Sequence, residues 1–173
     1  MTWELETDRL VLRPMGRGDV EALVPVLGDA SAMRFYPRPF DRAMVEAWVA
    51  RTLERYASDG YGLLAIVERG TGEVIGDCGP TRQEVDGEPF VELGWHVRAD
   101  RQGHGFATEA GAACRDHAWT ALAPSRLISL VRPENVPSWS VARALGFRPW
   151  RATVRAGMAH VVWTIEAGDE VSR

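Results

Sequence analysis

The sequence has no lysine. All 20 of its basic residues other than histidine are arginine, so a nucleoside-triphosphate loop, which needs Gly-Lys-Ser/Thr, cannot be written on this chain. It has only two cysteines, Cys78 and Cys114. That is too few for a disulfide framework, and both read as small buried hydrophobes in a reducing cytoplasm. The four histidines, His96, His104, His117 and His160, show no zinc-like spacing with cysteine or carboxylate, so no metal is expected. No apolar run is long enough to span a membrane. The opening Met1-Thr-Trp-Glu-Leu-Glu lacks the basic start and apolar stretch of a signal peptide. A formal net charge of −4, with scattered arginines, argues against a nucleic-acid-binding surface. Linkers, repeats and low-complexity tracts are missing too. What is left is one cytoplasmic domain over residues 1–173, 46% hydrophobic and 25% charged, long enough to bury a substantial core.

The elements follow from local chemistry. Thr7–Arg13 alternates polar and apolar and stops at Pro14, a first strand. Asp19 is an N-cap candidate for a short helix ending at Gly28, with Pro25 set to kink it. An aromatic loop, Phe35 to Phe40, precedes Asp41, the cap of a helix whose Val45, Trp48, Val49, Leu53 and Tyr56 form an apolar stripe closed by Gly60. Tyr61–Glu68 and Glu73–Thr81 flank a glycine turn as a hairpin. A second turn over Val85–Glu88 leads to a strand from Phe90 to Val97. A helix from Phe106 carries Phe106, Ala110, Cys114 and Ala118 on one face and ends before Pro124. Arg126–Val131 is a nearly continuous apolar strand, as expected where both faces are covered. Asn135 opens a further helix with a glycine end at Gly146. A hairpin of Phe147–Arg155 and Met158–Glu166 and a polar tail from Gly168 complete the chain. The order is β-α-α-β-β-β-α-β-α-β-β, an α/β chain with a mixed sheet.

Pro89 to Ala121 is the stretch that speaks to function. Strand, Gly103-His104-Gly105, helix is an arrangement for holding phosphate, since glycines let the backbone approach a ligand and first-turn N–H groups lack intrahelical partners. A Rossmann fingerprint would need glycine or alanine at Thr108 and should open the first βαβ unit, whereas more than half of this chain comes before it. Gln102-x-x-Gly105-x-Ala107, with Glu92-Leu-Gly-Trp before it and Ala107-Thr-Glu-Ala110 after it, resembles the acyl-CoA pyrophosphate loop of the GNAT acetyltransferase superfamily, in its RimJ/RimL-like branch.

The resemblance implies a fold whose central strands splay apart around the pantetheine arm of acetyl-CoA. Main chain of Trp95, His96 and Val97 would hold that arm and polarise the thioester. Gln102, Gly103, His104, Gly105, Phe106, Ala107 and Thr108 would hold the pyrophosphate, and Asn135 would both cap its helix and face the arm. Ser138 matches the serine proposed to protonate the departing thiolate; helix capping or a solvated first-turn position is its plainer reading. Glu92 shares a strand face with Gly94 and His96, so Glu92 is the candidate base, His96 the second, and an amine that enters neutral would need neither. Phe35, Tyr36, Phe40 and Trp48 would wall the acceptor cleft. The expected activity is direct transfer of acetyl to a primary amine, an α-amine of a peptide N-terminus or a small molecule. A non-catalytic acyl-CoA-binding module and a transferase of a longer acyl group are the alternatives. Expected partners are acetyl-CoA and the amine acceptor, with a homodimer left open and neither nucleic acid nor membrane.

Overall fold

The computed structural model describes residues 3–168; the first two residues and the polar tail expected beyond Gly168 lie outside the described residues. The chain opens with a correction. The single strand expected over Thr7–Arg13 is two strands, β1 (Leu5–Glu6) and β2 (Leu10–Pro14). The Thr7 N–H donates to the Leu10 carbonyl at 3.0 Å and the Leu10 N–H donates to the Thr7 hydroxyl at 3.0 Å, which closes a turn between them. Asp19 is a second correction. Its carboxylate accepts both guanidinium nitrogens of Arg13, at 2.7 and 2.9 Å, and the Gly16 N–H at 2.7 Å. Helix α1 (Val20–Leu27) therefore starts without a side-chain cap and runs on through Pro25. The fork-to-fork ion pair wins because both partners are charged. Asp41 does cap, accepting the Met44 N–H at 2.9 Å, and α2 spans Arg42–Ser58.

The other strands are β3 (Leu64–Glu68), β4 (Val74–Val85), β5 (Glu88–Val97), β6 (Arg126–Val131), β7 (Arg148–Arg155) and β8 (Met158–Glu166). Helices α3 (Phe106–Leu122) and α4 (Val136–Ala144) flank β6 in the chain. Together the strands form one eight-stranded mixed sheet in the order β1-β2-β3-β4-β5-β6-β8-β7. The β4–β5 hairpin turns at Asp86-Gly87, with φ of 52° and 83°, the double left-handed turn that matches strand twist. Helices cover both faces. Leu64 and Ile66 look toward α3 and α4 with Leu10, Leu12, Leu93 and Leu127, whereas Ala65 looks toward α1 and α2 with Leu23, Val45 and Val49. Alternation along one strand thus feeds two cores.

The pairing of β5 with β6 positions the site. These strands run parallel and pair only at Val91 with Leu127 and Glu92 with Ile128. Beyond Glu92 they part, as the expected splay requires. The β6-facing edge of β5 from Leu93 to Val97 then has no ladder partner in β6, and its main-chain groups border a gap in the middle of the sheet.

Candidate functional site

A cleft of about 470 Å³ opens where β5 and β6 part. Its walls bring together residues far apart in sequence: Trp95, His96 and Val97 of β5, Gln102, Gly103 and Gly105 of the loop, and Phe106, Ala107 and Thr108 at the start of α3. Asn135 and Ser138 line it from α4, and Phe35, Tyr36, Trp48 and Glu92 close the other end. Two expected residues stand elsewhere. The His104 ring stacks on Phe106 with centroids 6.3 Å apart and its Nδ1 meets the Gln102 carbonyl at 2.9 Å, so it is loop scaffolding and does not line the cleft. Phe40 sits behind the wall, edge-on to Tyr36 at 6.2 Å and to Trp48 at 5.7 Å, because its N–H is drawn back to the Leu27 carbonyl at 2.9 Å.

At the loop end, Gly105 is the N-cap of α3, with φ of 83° and no capping side chain. The first helical bond runs from the Glu109 N–H to the Gly105 carbonyl at 3.0 Å, which leaves the N–H groups of Phe106, Ala107 and Thr108 without intrahelical acceptors. Those donors, with the positive end of a 17-residue helix, make a cradle for an anion. The Gln102 side chain is a brace, donating to the Val97 carbonyl at 2.9 Å. A further brace was not legible beforehand. Glu109 accepts from the Thr7 hydroxyl at 2.6 Å, the Arg9 N–H at 2.9 Å and Arg9 Nε at 2.6 Å, and Arg9 in turn holds the His104 carbonyl at 2.9 Å. Burial works against the Glu109 carboxylate, yet these hydrogen bonds hold its pKa below the usual range. The available signal was an acid in the first turn of a helix.

At the other end, Glu92, Gly94 and His96 share one face of β5, opposite Thr81, Gly79 and Asp77 of β4. His96 Nδ1 lies 2.7 Å from Asp77 Oδ1 and Nε2 lies 2.5 Å from the Tyr36 hydroxyl oxygen. Asp77 is wholly buried and takes the Trp48 indole N–H on its second oxygen at 2.9 Å. Burial alone would lower the His96 pKa; its interactions with the Tyr36 and Asp77 oxygens outweigh that and push it up to about 10. Burial raises the Glu92 pKa, against the pull of Arg155, the Leu130 N–H and Gln83. Nothing local marks Asp77: an aspartate in an apolar strand becomes a site residue only through register.

On α4, Asn135 caps as expected, its side-chain oxygen accepting the Ser138 N–H at 3.2 Å. Among the described residues no three His, Cys, Asp or Glu side chains assemble as a metal-holding group, and no helix is long and apolar enough to cross a membrane.

Comparison with known proteins agrees with this geometry. Residues 9–148 match the family described as acetyltransferase (GNAT) domain. The chain is 30% identical over 150 residues to the uncharacterized N-acetyltransferase p20 of Bacillus licheniformis, across 83% of this chain and 82% of that one. A crystal structure of an acetyltransferase from Agrobacterium tumefaciens is 28% identical, with a TM-score of 0.81 over 95% of each chain. RimL, a ribosomal α-N-protein acetyltransferase solved in complex with coenzyme A, shares the fold at 17% identity, with a TM-score of 0.76 over 97% of this chain and 100% of its own.

Proposed function

The chain belongs to the GNAT acetyltransferase family, and from that premise we propose that it transfers the acetyl group of acetyl-CoA to a primary amine by direct attack within a ternary complex, the described residues acting as one catalytic domain of the RimJ/RimL-like kind. The observation that carries this reading is the parting of β5 from β6 beyond Glu92 and Ile128, next to a helix N-terminus opened by Gly105. An extended thioester arm fits such a gap, since its amides can take the place of the missing ladder, and a pyrophosphate fits the free N–H groups of α3. In this reading main chain of Trp95 to Val97 orients the thioester and polarises its oxygen. Ser138 gives a proton to the sulfur as it leaves. Glu92, a half-buried carboxylate in the cleft, draws in the acceptor ammonium. Direct attack is favoured over an acetyl-enzyme because both cysteines are wholly buried, and the Cys78 thiol is pushed up by its hydrogen bond with Cys114 and by burial.

The acceptor is an α-amine of a peptide N-terminus or of a small molecule. An α-amine titrates near ~7.7–8.0, so about a tenth is neutral at pH 7, whereas a lysine amine near ~10.4 is neutral only a few times in ten thousand. The aromatic wall of Phe35, Tyr36 and Trp48 favours an apolar or aromatic group beside the amine. The test compares catalytic efficiencies on peptides matched except for a free or blocked N-terminus, together with small aromatic and aliphatic amines. Best turnover on N-terminally blocked lysine peptides would refute the α-amine assignment.

Gly94 offers a second check on the same cleft. A methyl added there meets nothing within 4 Å, and the backbone is not left-handed, so Gly94→Ala should fold normally. The methyl stands in the gap between Glu92 and His96. Overpacking of this kind costs ~1–3 kcal/mol, so the acceptor KM should rise about tenfold while coenzyme A affinity by calorimetry stays unchanged. An unchanged acceptor KM would place the amine somewhere other than over Gly94.

A further inference from the structure

His96 is engaged at both ring nitrogens by groups from two other elements, Asp77 from β4 and Tyr36 from the loop between α1 and α2. A carboxylate only accepts, so Nδ1 carries a hydrogen toward Asp77. In the neutral ring Nε2 is then the free base, and the Tyr36 hydroxyl donates to it. The Trp48 indole occupies the other Asp77 oxygen and fixes the carboxylate. The chain of contacts runs from a residue with no solvent exposure to one with 38%, Tyr36, on the cleft wall. A clasp that merely fastened the loop would be cheaper to build from apolar side chains, since burying a charge is costly even when it is paired.

Space for a reacting nitrogen lies alongside. On β4 the glycine opposite, Gly79, is covered by the Gly62 carbonyl, 2.8 Å from where a Cβ would stand, but over Gly94 the space is open. Glu92 and His96, each two residues from Gly94 on one strand face, flank that opening at ~7 Å to either side, ~13 Å from each other.

The geometry points to a proton relay, Tyr36 to His96 to Asp77, that takes the proton of the acceptor amine during acetyl transfer; it rests on the acetyltransferase reading above. As the acceptor nitrogen bonds to the acetyl carbon, the carbon–sulfur bond breaks and its electron pair leaves on sulfur. The N–H proton passes to the Tyr36 oxygen, the Tyr36 proton passes to His96 Nε2, and Asp77 holds the imidazolium formed. Sulfur takes its proton from the Ser138 hydroxyl, which solvent restores, and the relay later returns its proton to solvent through Tyr36. Glu92 keeps the separate task of attracting the ammonium. The groups that meet His96 and bear on its titration are Asp77 from β4 and Tyr36 from the loop; Trp48 of α2 is neutral, and the charged Arg34 and Glu92 line the same cleft.

The deciding experiment is the pH dependence of turnover with an aryl amine that is neutral throughout the range, for the wild type, Tyr36→Phe and Glu92→Gln. Because the relay needs the neutral ring and the His96 pKa is pushed up to about 10, the wild type should rise with pH to a plateau only as it nears that value. Tyr36→Phe keeps the ring in the wall; its turnover should fall about 100-fold or more, the scale of a lost general base. Its acid limb should vanish, with acetyl-CoA affinity by calorimetry unchanged. Glu92→Gln should keep the limb and raise the acceptor KM. In the free protein, the NMR titration of the His96 ring should move down in both Tyr36→Phe and Asp77→Asn. The relay is wrong if Tyr36→Phe keeps its turnover or loses only in acceptor KM, if the limb disappears in Glu92→Gln instead, or if the His96 titration does not move. A folded wild type that binds coenzyme A but acetylates no amine of a broad panel removes the transferase reading and the relay together.

Discussion

Gly105→Glu is expected to abolish coenzyme A binding in a protein that remains folded. Gly105 has φ of 83° and caps α3, so any side chain there meets left-handed strain of roughly 1–2 kcal/mol. That strain lies in a loop at one end of a helix whose buried face, Ala110, Cys114 and Ala118, is untouched. The melting temperature should therefore fall by only about 2–8 °C. The effect on the ligand is larger. A carboxylate would stand where the phosphate must sit, repelling it and displacing it from the N–H groups of Phe106, Ala107 and Thr108. Each charge-assisted hydrogen bond lost costs about 1.5–3 kcal/mol, and two such losses exceed about 100-fold in affinity. Gly103→Ala is the control. Gly103 has φ of 78° with nothing within 4 Å of an added Cβ, so it bears the strain without the obstruction and should bind only mildly less well. Calorimetry that finds unchanged coenzyme A affinity in folded Gly105→Glu would overturn the phosphate assignment.

Ser138→Ala should lower turnover by ~10²–10⁴, the range for a lost general acid, with the KM for acetyl-CoA almost unchanged. Protonating a thiolate matters only as the carbon–sulfur bond breaks, so the loss belongs to the transition state and not to binding. The helix cap separates this role from a structural one. Asn135 accepts from the Ser138 main-chain N–H, which alanine retains, so α4 keeps its cap in the variant. Asn135→Ala makes the converse change, costing ~1 kcal/mol of stability without removing the proton donor. Equal turnover of Ser138→Ala and wild type, measured where chemistry limits, would leave Ser138 as a first-turn residue and nothing more.

The parts of the fold that could be read beforehand are those where a residue acts on its immediate neighbours. Asp41 and Asn135 cap the helices that follow them, Asp86-Gly87 turns a hairpin, and Gly105 hands the chain to α3. Elsewhere the tertiary structure placed a residue differently from its local chemistry. Asp19 has the chemistry of a cap, but Arg13 offers it a charged fork. Phe40 has the composition of a cleft wall, but its backbone is pulled back to Leu27 and its ring supports Tyr36 and Trp48 from behind. His104 differs, since its ring is held by its own loop neighbours, the Gln102 carbonyl and the Phe106 ring, away from the cleft.

By itself the sequence determined the helices, most of the strands and the glycine-opened helix read as an anion site, because helix caps, side-chain alternation and left-handed glycines are settled within a few residues of chain. Tertiary structure alone decided where β5 leaves β6, which arginine braces the loop, and that Tyr36, Asp77 and His96 meet. Those outcomes depend on register between strands and on a loop laid across the sheet. A shift of one residue would turn Asp77 and His96 to the opposite face, and no local preference of either residue opposes such a shift. Packing of the two cores holds the register, and the register makes the site.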